Sequence, residues 1–171
     1  EMLKYLGAFM ILLSGLSLGL GRVMEGRRRI GTLRSVLAAL ELMQGELGAN
    51  AAPLPELCTA LCRRASPPAA DFFQNLNASL DRLGEEDFAA LWDRAAEKEL
   101  FALKNGELEE IKALGNIIGR YELDAQLSAL RAAAAAIRLC LDRALAEYPG
   151  ERKLGLMLPT ALSALLALAL L

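Results

Sequence analysis

The sequence contains no histidine and only three cysteines, so it lacks the side chains that most metal sites and disulfide frameworks require. It also lacks a glycine-rich phosphate loop, a nucleophile elbow and a dinucleotide-binding fingerprint. Without these motifs there is no recognisable set of catalytic residues. We therefore expect a protein that is not an enzyme, that uses no cofactor or metal ion, and that has no small-molecule substrate.

Aromatic residues are scarce, at 5% of the chain, and β-branched residues are few. Alanine and leucine dominate instead, which favours α-helix at nearly every position. The formal net charge of -2 leaves no basic excess that would attract nucleic acid. The three cysteines lie in the middle of the chain and suit a reducing compartment. We predict an all-α protein that does not bind nucleic acid.

Charge is nearly absent from both ends of the chain. Residues 3–21 carry only Lys4, and residues 155–171 carry no charge. Because a bilayer core of ~30 Å needs about 20 mostly apolar residues in a helix, we predict membrane-spanning helices at residues 2–21 and 154–171. A cleaved signal peptide is the alternative for the first segment, and an interfacial helix is the alternative for the second.

Basic residues lie on the inner side of each apolar segment. By the positive-inside rule, they place the middle of the chain in the cytoplasm and both termini across the membrane. The residues that set this topology are Arg22, Arg27, Arg28, Arg29, Arg152 and Lys153. The arginines at 27–29 also suit anionic lipid headgroups. We therefore predict a cytoplasmic domain over residues 22–153.

Apolar residues in this middle region recur near a helical period of 3.6 residues. They predict six helices joined by short loops, as in an antiparallel bundle. Ser66 is expected to cap the third helix, and Pro149-Gly150 is expected to stop the last one. The predicted helices cover approximately residues 30–47, 55–64, 66–83, 85–103, 107–119 and 122–148.

Two groups of side chains resemble chemical sites but have simpler explanations. Cys58 and Cys62 share one helix face, yet a zinc site needs four ligands and Cys140 is the only other cysteine, so buried apolar cysteines are favoured. The acidic runs at residues 85–87 and 107–110 have the composition of an acid–base pair. Both stand at predicted helix starts, where the helix dipole favours acidic residues, so solvated helix faces are the preferred interpretation.

Four stretches follow one another in a characteristic order: LKYLGAFMILLS, RRRIGTLRSVLAALELMQGELGANAAPLPELCTAL, ELEEIKALGNIIGRYELDAQLSALRAA and KLGLMLPTALSALLALALL. Their most specific parts include Leu33-Arg34, Pro53-Leu54 and Leu114-Gly115. Together these stretches resemble the stage III sporulation protein AB family of endospore-forming bacteria over nearly the whole chain. The Ala132–Ala136 run departs from this pattern, because the long last helix in this family is usually more charged.

The resemblance implies a non-enzymatic component of the channel-like assembly between mother cell and forespore, in the outer forespore membrane. It implies a six-helix cytoplasmic domain similar to the F domain of the type II secretion and type IV pilus platform protein. The implied partners are a stage III sporulation AA-type hexameric ATPase and other proteins of the same sporulation membrane complex. The alternative function is a membrane-tethered signalling or regulatory module that acts through helix rearrangement.

The resemblance also suggests where a partner binds. The candidate contact regions are the surface around Glu41, Glu46, Pro53 and Leu54 and the segment from Gly115 to Gln126, within which Gly115, Asp124 and Gln126 are singled out. Four of these residues have a simpler explanation as well, since Glu41 and Glu46 suit a solvated helix face and Pro53 and Gly115 suit turns and close packing.

Overall fold

The chain is described by a computed structural model, which gives the backbone over residues 2–50 and 53–170 and the side chains at residues 21, 23–49 and 53–148. Within these ranges the chain forms six α-helices and one short 3-10 helix, with no β-strand. The prediction of an all-α fold with six helices is confirmed. The helices are α1 (Met2–Asn50), α2 (Leu54–Arg64), α3 (Ala69–Ser79), α4 (Phe88–Glu99), α5 (Asn105–Gly115) and α6 (Leu123–Leu170), and the 3-10 helix is Leu80–Arg82.

The two terminal helices run further than the sequence predicts. The predicted helix at residues 30–47 is part of α1, which continues through Gly31 because a single glycine costs only about 1 kcal/mol in a helix. At the other end, α6 continues past Pro149-Gly150, so the prediction that this pair stops the helix is wrong. An internal proline removes one backbone hydrogen bond, which can bend a helix without ending it.

The chain divides into two compact units, one made of Glu1–Arg28 with Arg143–Leu171 and the other of Arg29–Asp142. The second unit holds most of the described side chains. None of the helices, taken over their described residues, is both long enough and apolar enough to cross a membrane. The spans predicted at residues 2–21 and 154–171 lie outside the residues described with side chains, apart from Gly21.

Contacts along α1 fix the direction of α6 in the Arg29–Asp142 unit. Gln44 donates a hydrogen bond to the Leu130 carbonyl at 3.4 Å, and Glu41 forms an ion pair with Arg138 at 2.6 Å. The partner of Gln44 is residue 130 and the partner of Glu41 is residue 138. Residue numbers therefore rise along α6 in the direction in which they fall along α1, and the two helices are antiparallel.

One end of this unit is where the chain enters at Arg29, and we call it the entry end. There Arg29 pairs with Glu107 of α5, and the Ser35 hydroxyl donates to the Ser66 carbonyl at 2.6 Å. The same hydroxyl accepts a hydrogen bond from the Ala69 N–H at 3.1 Å. The side chain that accepts a backbone N–H at the start of α3 therefore belongs to Ser35 of α1 and not to the predicted Ser66. No local sequence pattern indicates this long-range contact.

The opposite end, the far end, lies beyond the last turn of α1. A Cβ atom built on Gly119 would lie 3.9 Å from Leu54 Cδ2, which places the α5–α6 loop against the start of α2. Arg120 of the same loop pairs with Asp87, which precedes α4. Three connections of the helical unit therefore meet at the far end.

Trp92 lies at the centre of the core. Its ring makes edge contacts with Phe72 at 4.9 Å and Phe73 at 6.2 Å between centroids, and its Nε1 donates to the Ile111 carbonyl at 2.8 Å. A Cβ atom on Gly115 would lie only 2.7 Å from Trp92 Cγ, so α5 approaches α4 closely only because residue 115 is glycine. Further buried residues of this core are Leu33, Val36, Leu40, Met43, Leu57, Leu61, Leu76, Leu91, Leu114, Ile118, Leu130 and Ile137.

A buried ion pair joins α1 to α5 at the entry end. The Arg29 guanidinium lies 2.5 Å from Glu107 Oε1 through Nη2 and 3.1 Å through Nε, and the two side chains are only 15% and 5% exposed. Glu107 Oε2 also accepts the Lys104 N–H at 2.9 Å. Burial alone would raise the pKa of Glu107, but these hydrogen bonds and the guanidinium charge outweigh burial and lower that pKa below its usual 4.5.

The substitution Gly115→Ala is expected to destabilise the protein. The added methyl group displaces a tryptophan ring that is 1% exposed and hydrogen-bonded, and such overpacking costs about 1–3 kcal/mol, more than the gain in helix propensity of up to about 1 kcal/mol. Thermal unfolding of the full chain, followed by fluorescence of its one tryptophan, measures the loss. Gly106→Ala in the first turn of α5 is the matched control, because no atom lies within 4 Å of its Cβ. Equal melting temperatures for the two variants would contradict this packing account.

The substitution Glu107→Gln is expected to destabilise the protein by about 2 kcal/mol at neutral pH, because it removes the carboxylate that pairs with the largely buried Arg29 guanidinium. Since the folded pKa of Glu107 lies below the unfolded value, the ion pair contributes fully above the unfolded pKa and loses its contribution as pH falls through the folded pKa. The stability difference between wild type and variant therefore shrinks on acidification below about pH 4.5.

Denaturant titration of both proteins at several pH values measures this difference. The control is Glu109→Gln on the same helix, where the side chain is 67% exposed, and it should have little effect. A pH-independent difference for Glu107→Gln would show that shape, not charge, determines its effect.

Candidate partner-binding site

The structure brings four of the predicted contact residues to the far end. Pro53 and Leu54 lie at the start of α2, and Asp124 and Gln126 lie in the first turns of α6. Leu54 lies next to Gly119, whose N–H donates to Gln126 Oε1 at 3.3 Å. Residues that are about 70 positions apart in the sequence therefore form one continuous region.

Gln126 holds the loop between α5 and α6 in place. In addition to its contact with Gly119, its Nε2 donates to the Tyr121 carbonyl at 2.6 Å. Gly119 has a φ of +77°, a left-handed conformation that glycine adopts without steric cost. The loop is thus closed by its own hydrogen bonds and presents a defined surface.

Two apolar side chains of this region are exposed. Tyr121 is 60% exposed and Leu123 is 36% exposed, and Pro53 of the same end is exposed as well. We define the far-end surface as Pro53, Leu54, Tyr121, Leu123 and Asp124. The predicted contact segment from Gly115 to Gln126 includes Tyr121 and Leu123, but sequence reasoning did not single them out; the available signal was an aromatic residue within a loop of charged residues.

The far-end surface carries negative charge at its edge. Glu122 and Asp124 are exposed, and Asp124 lies in the first turn of α6, where its carboxylate interacts favourably with the helix dipole. The nearby Arg120 is paired with Asp87. A partner suited to this surface therefore has an apolar pocket for Tyr121 and basic residues around it.

The other predicted contact residues lie elsewhere. Glu41 pairs with Arg138 and Glu46 pairs with Arg64, so both glutamates hold helices of the bundle together through surface ion pairs that each contribute roughly 0–1 kcal/mol. Gly115 is buried against Trp92 and is not part of an exposed surface.

The basic residues predicted to set membrane topology divide into three groups. Arg27 and Arg28 are exposed, whereas the side chain of Arg29 is largely buried in its pair with Glu107. The side chains of Arg22, Arg152 and Lys153 lie outside the described residues.

The cysteines behave as apolar side chains. Cys58 is fully buried, as predicted, and this burial, with the nearby Cys62 thiol as a lesser cause, raises the pKa of Cys58 to about 12. Burial also raises the pKa of Cys62, while Cys140 is partly buried. Across residues described with side chains, no group of three or more cysteine, aspartate or glutamate residues is arranged to hold a metal ion.

The interpretation of the acidic residues as solvated helix faces is wrong at one position. Glu109 and Glu110 are exposed as expected, but Glu107 is buried because it caps its own helix and pairs with Arg29. The run at residues 85–87 precedes α4 instead of opening it.

Two cavities bear on whether this unit binds a small molecule. The void beside Trp92 measures about 10 Å³, at the lower limit for one water molecule. An open groove of about 350 Å³ follows α2, and all its lining residues belong to that helix: Pro55, Glu56, Thr59, Ala60 and Arg63. The void is too small and the groove is too open for a typical small-molecule site.

Comparison with known proteins identifies the family of this chain. The profile of the family described as stage III sporulation protein AB matches residues 4–171. The chain is 24% identical over 123 residues to stage III sporulation protein AB of Bacillus subtilis (strain 168), which covers 71% of each chain. A solved structure of stage III sporulation protein AB superposes with a TM-score of 0.61 at 21% identity, covering 70% of this chain and 94% of the other. The resemblance is confirmed, and the chain belongs to the stage III sporulation protein AB family.

Proposed function

We propose that this protein is a non-enzymatic membrane component of the secretion-like complex between mother cell and forespore, and that its helical unit is a platform for a stage III sporulation AA-type hexameric ATPase. Membership of the family implies a role in sporulation. The six-helix, all-α fold supports the more specific proposal, because F domains of secretion platform proteins are bundles of the same helix number.

The proposed topology has two membrane spans, at residues 2–21 and 154–171, with residues 22–153 in the cytoplasm and both termini across the outer forespore membrane. The apolar sequence of both segments supports this topology. The basic residues that follow the first segment and precede the second support it as well.

The observation that carries the ATPase proposal is the far-end surface. Aromatic residues are enriched at protein interfaces and dominate their binding energy when they fill a pocket on the partner. Tyr121 is exposed, yet its loop is fixed by the Gln126 hydrogen bonds, so little ordering is needed when a partner binds. The surface also lies at the end of the unit opposite Arg29, from which the chain leads to the first proposed span.

Glu41 and Glu46 are secondary positions in this proposal. Because each is paired with an arginine, a simple charge reversal changes both the surface and the bundle. The exchange of Glu41→Arg together with Arg138→Glu keeps an ion pair while it reverses the surface charges. This double variant separates a binding effect from a stability effect.

The test is binding of the cognate ATPase to the full chain reconstituted in lipid nanodiscs, with the salt concentration varied. Saturable binding is expected, and Tyr121→Ala should weaken it by about tenfold or more, as for an interface hot spot. The melting temperature should change little, because Tyr121 is 60% exposed. The matched control is Leu139→Ala on the outward side of α6, where a side chain that is 50% exposed is removed away from the far-end surface.

Two results would contradict the proposal at different levels. Absence of ATPase binding at every salt concentration would rule out the platform function. Binding that Tyr121→Ala and Leu139→Ala reduce equally would retain the platform and rule out the far-end surface as its contact.

A further inference from the structure

The loop between α4 and α5 exposes a phenylalanine. Phe101 is 71% exposed, the highest value among the large hydrophobic side chains of the described residues. Its neighbours Leu100 and Leu103 are 1% and 7% exposed. The sequence Leu100-Phe101-Ala102-Leu103 thus directs two leucines into the core and the aromatic ring into solvent.

This exposure is fixed by the structure. The Leu100 N–H donates to the Ala96 carbonyl at 2.9 Å, and the Leu103 N–H donates to the Leu100 carbonyl at 3.0 Å. Immediately after the loop, the Lys104 N–H is held by Glu107, which is itself paired with Arg29. Because both sides of the loop are anchored, Phe101 cannot turn inward without breaking buried contacts.

The loop lies at the entry end of the unit. The first turn of α5 contacts Arg29, and the chain beyond α5 reaches the far end at Gly119, so α5 runs in the same direction as α1. The loop that precedes α5 therefore lies on the side of Glu107 from which α1 enters the unit. In the sequence, Arg29 follows Gly21, the last residue of the proposed first span, by only eight residues.

Two lysines flank the exposed ring. Lys98 is 65% exposed, and Lys104 is exposed as well. Among the carboxylates near these lysines in the sequence, Glu107 is paired with Arg29, and Glu99 contacts Lys98 and also accepts a hydrogen bond from Asn75 at 3.1 Å. An exposed aromatic residue between lysines is the composition found at membrane interfaces, where the ring lies at headgroup depth and lysines reach anionic lipids.

We propose that the α4–α5 loop is a lipid contact, in which Phe101 inserts at the membrane interface and Lys98 and Lys104 bind anionic headgroups. This inference rests on the proposed membrane spans and is independent of the ATPase proposal. It gives the helical unit an attachment to the bilayer in addition to its two covalent connections to the proposed spans. Such an attachment restricts the orientation of the unit relative to the membrane surface.

The experiment places an environment-sensitive fluorophore at Phe101→Cys in the full chain, in a background with Cys62→Ser and Cys140→Ser. Cys58 stays, since it is buried and its pKa is raised. The chain is reconstituted into vesicles of phosphatidylglycerol and phosphatidylethanolamine with or without brominated acyl chains. Leu83→Cys is the matched control, an exposed hydrophobic position before α4.

At position 101 we expect a blue shift of the emission and quenching by the brominated lipids, with neither effect at position 83. The added substitutions Lys98→Glu and Lys104→Glu should reduce the quenching, and so should replacement of phosphatidylglycerol by phosphatidylcholine. Extraction with alkaline carbonate establishes beforehand that the chain is inserted.

Equal, low quenching at positions 101 and 83 in an inserted chain would overturn the lipid contact. Protection of position 101 only when another protein is added would overturn it in favour of a protein partner. A chain that carbonate removes from the vesicles would overturn the membrane spans on which the contact depends. ATPase binding to the same vesicles tests the platform function separately, so the two failures are distinguishable.

Discussion

The buried ion pair between Arg29 and Glu107 constrains the arrangement of the helical unit. It joins the point where the chain enters the unit to the first turn of α5, and Glu107 at the same time caps its helix through the Lys104 N–H. Because burial of charge is costly without compensating contacts, this pair links the position of α5 to that of α1. Because α5 carries Gly115 against Trp92 and leads into the Tyr121 loop, the geometry of both ends depends on this one contact.

The regular elements were predictable from the sequence because they depend on local periodicity. The apolar residues that recur every three to four positions are those that line the core, from Leu33 on α1 to Ile137 on α6. The contacts between distant segments were not predictable in this way. Glu107 has the sequence signature of a solvated residue at a helix start, and only the folded chain brings Arg29 to it across a separation of 78 residues.

The sequence predicts only those residues of the candidate site that belong to a sequence pattern. Pro53, Leu54, Asp124 and Gln126 follow from the resemblance, and the fold brings them together. Tyr121 lies in the predicted contact segment without being singled out, and Phe101 carries no motif. Their significance comes from exposure on rigid loops, which is a property of the packed structure. Gly115 belongs to the family pattern and was predicted as a contact residue, but it is buried, and close packing against Trp92 explains it.

We propose different partners for the two ends of one helical unit: a protein at Tyr121 and a lipid surface at Phe101. The most direct test is to place a photo-crosslinking amino acid at position 121 or 101 of the full chain in vesicles with the cognate ATPase, and to identify the adducts by mass spectrometry. We expect ATPase adducts from position 121 and lipid adducts from position 101. ATPase adducts from position 101 with none from position 121 would contradict this proposal.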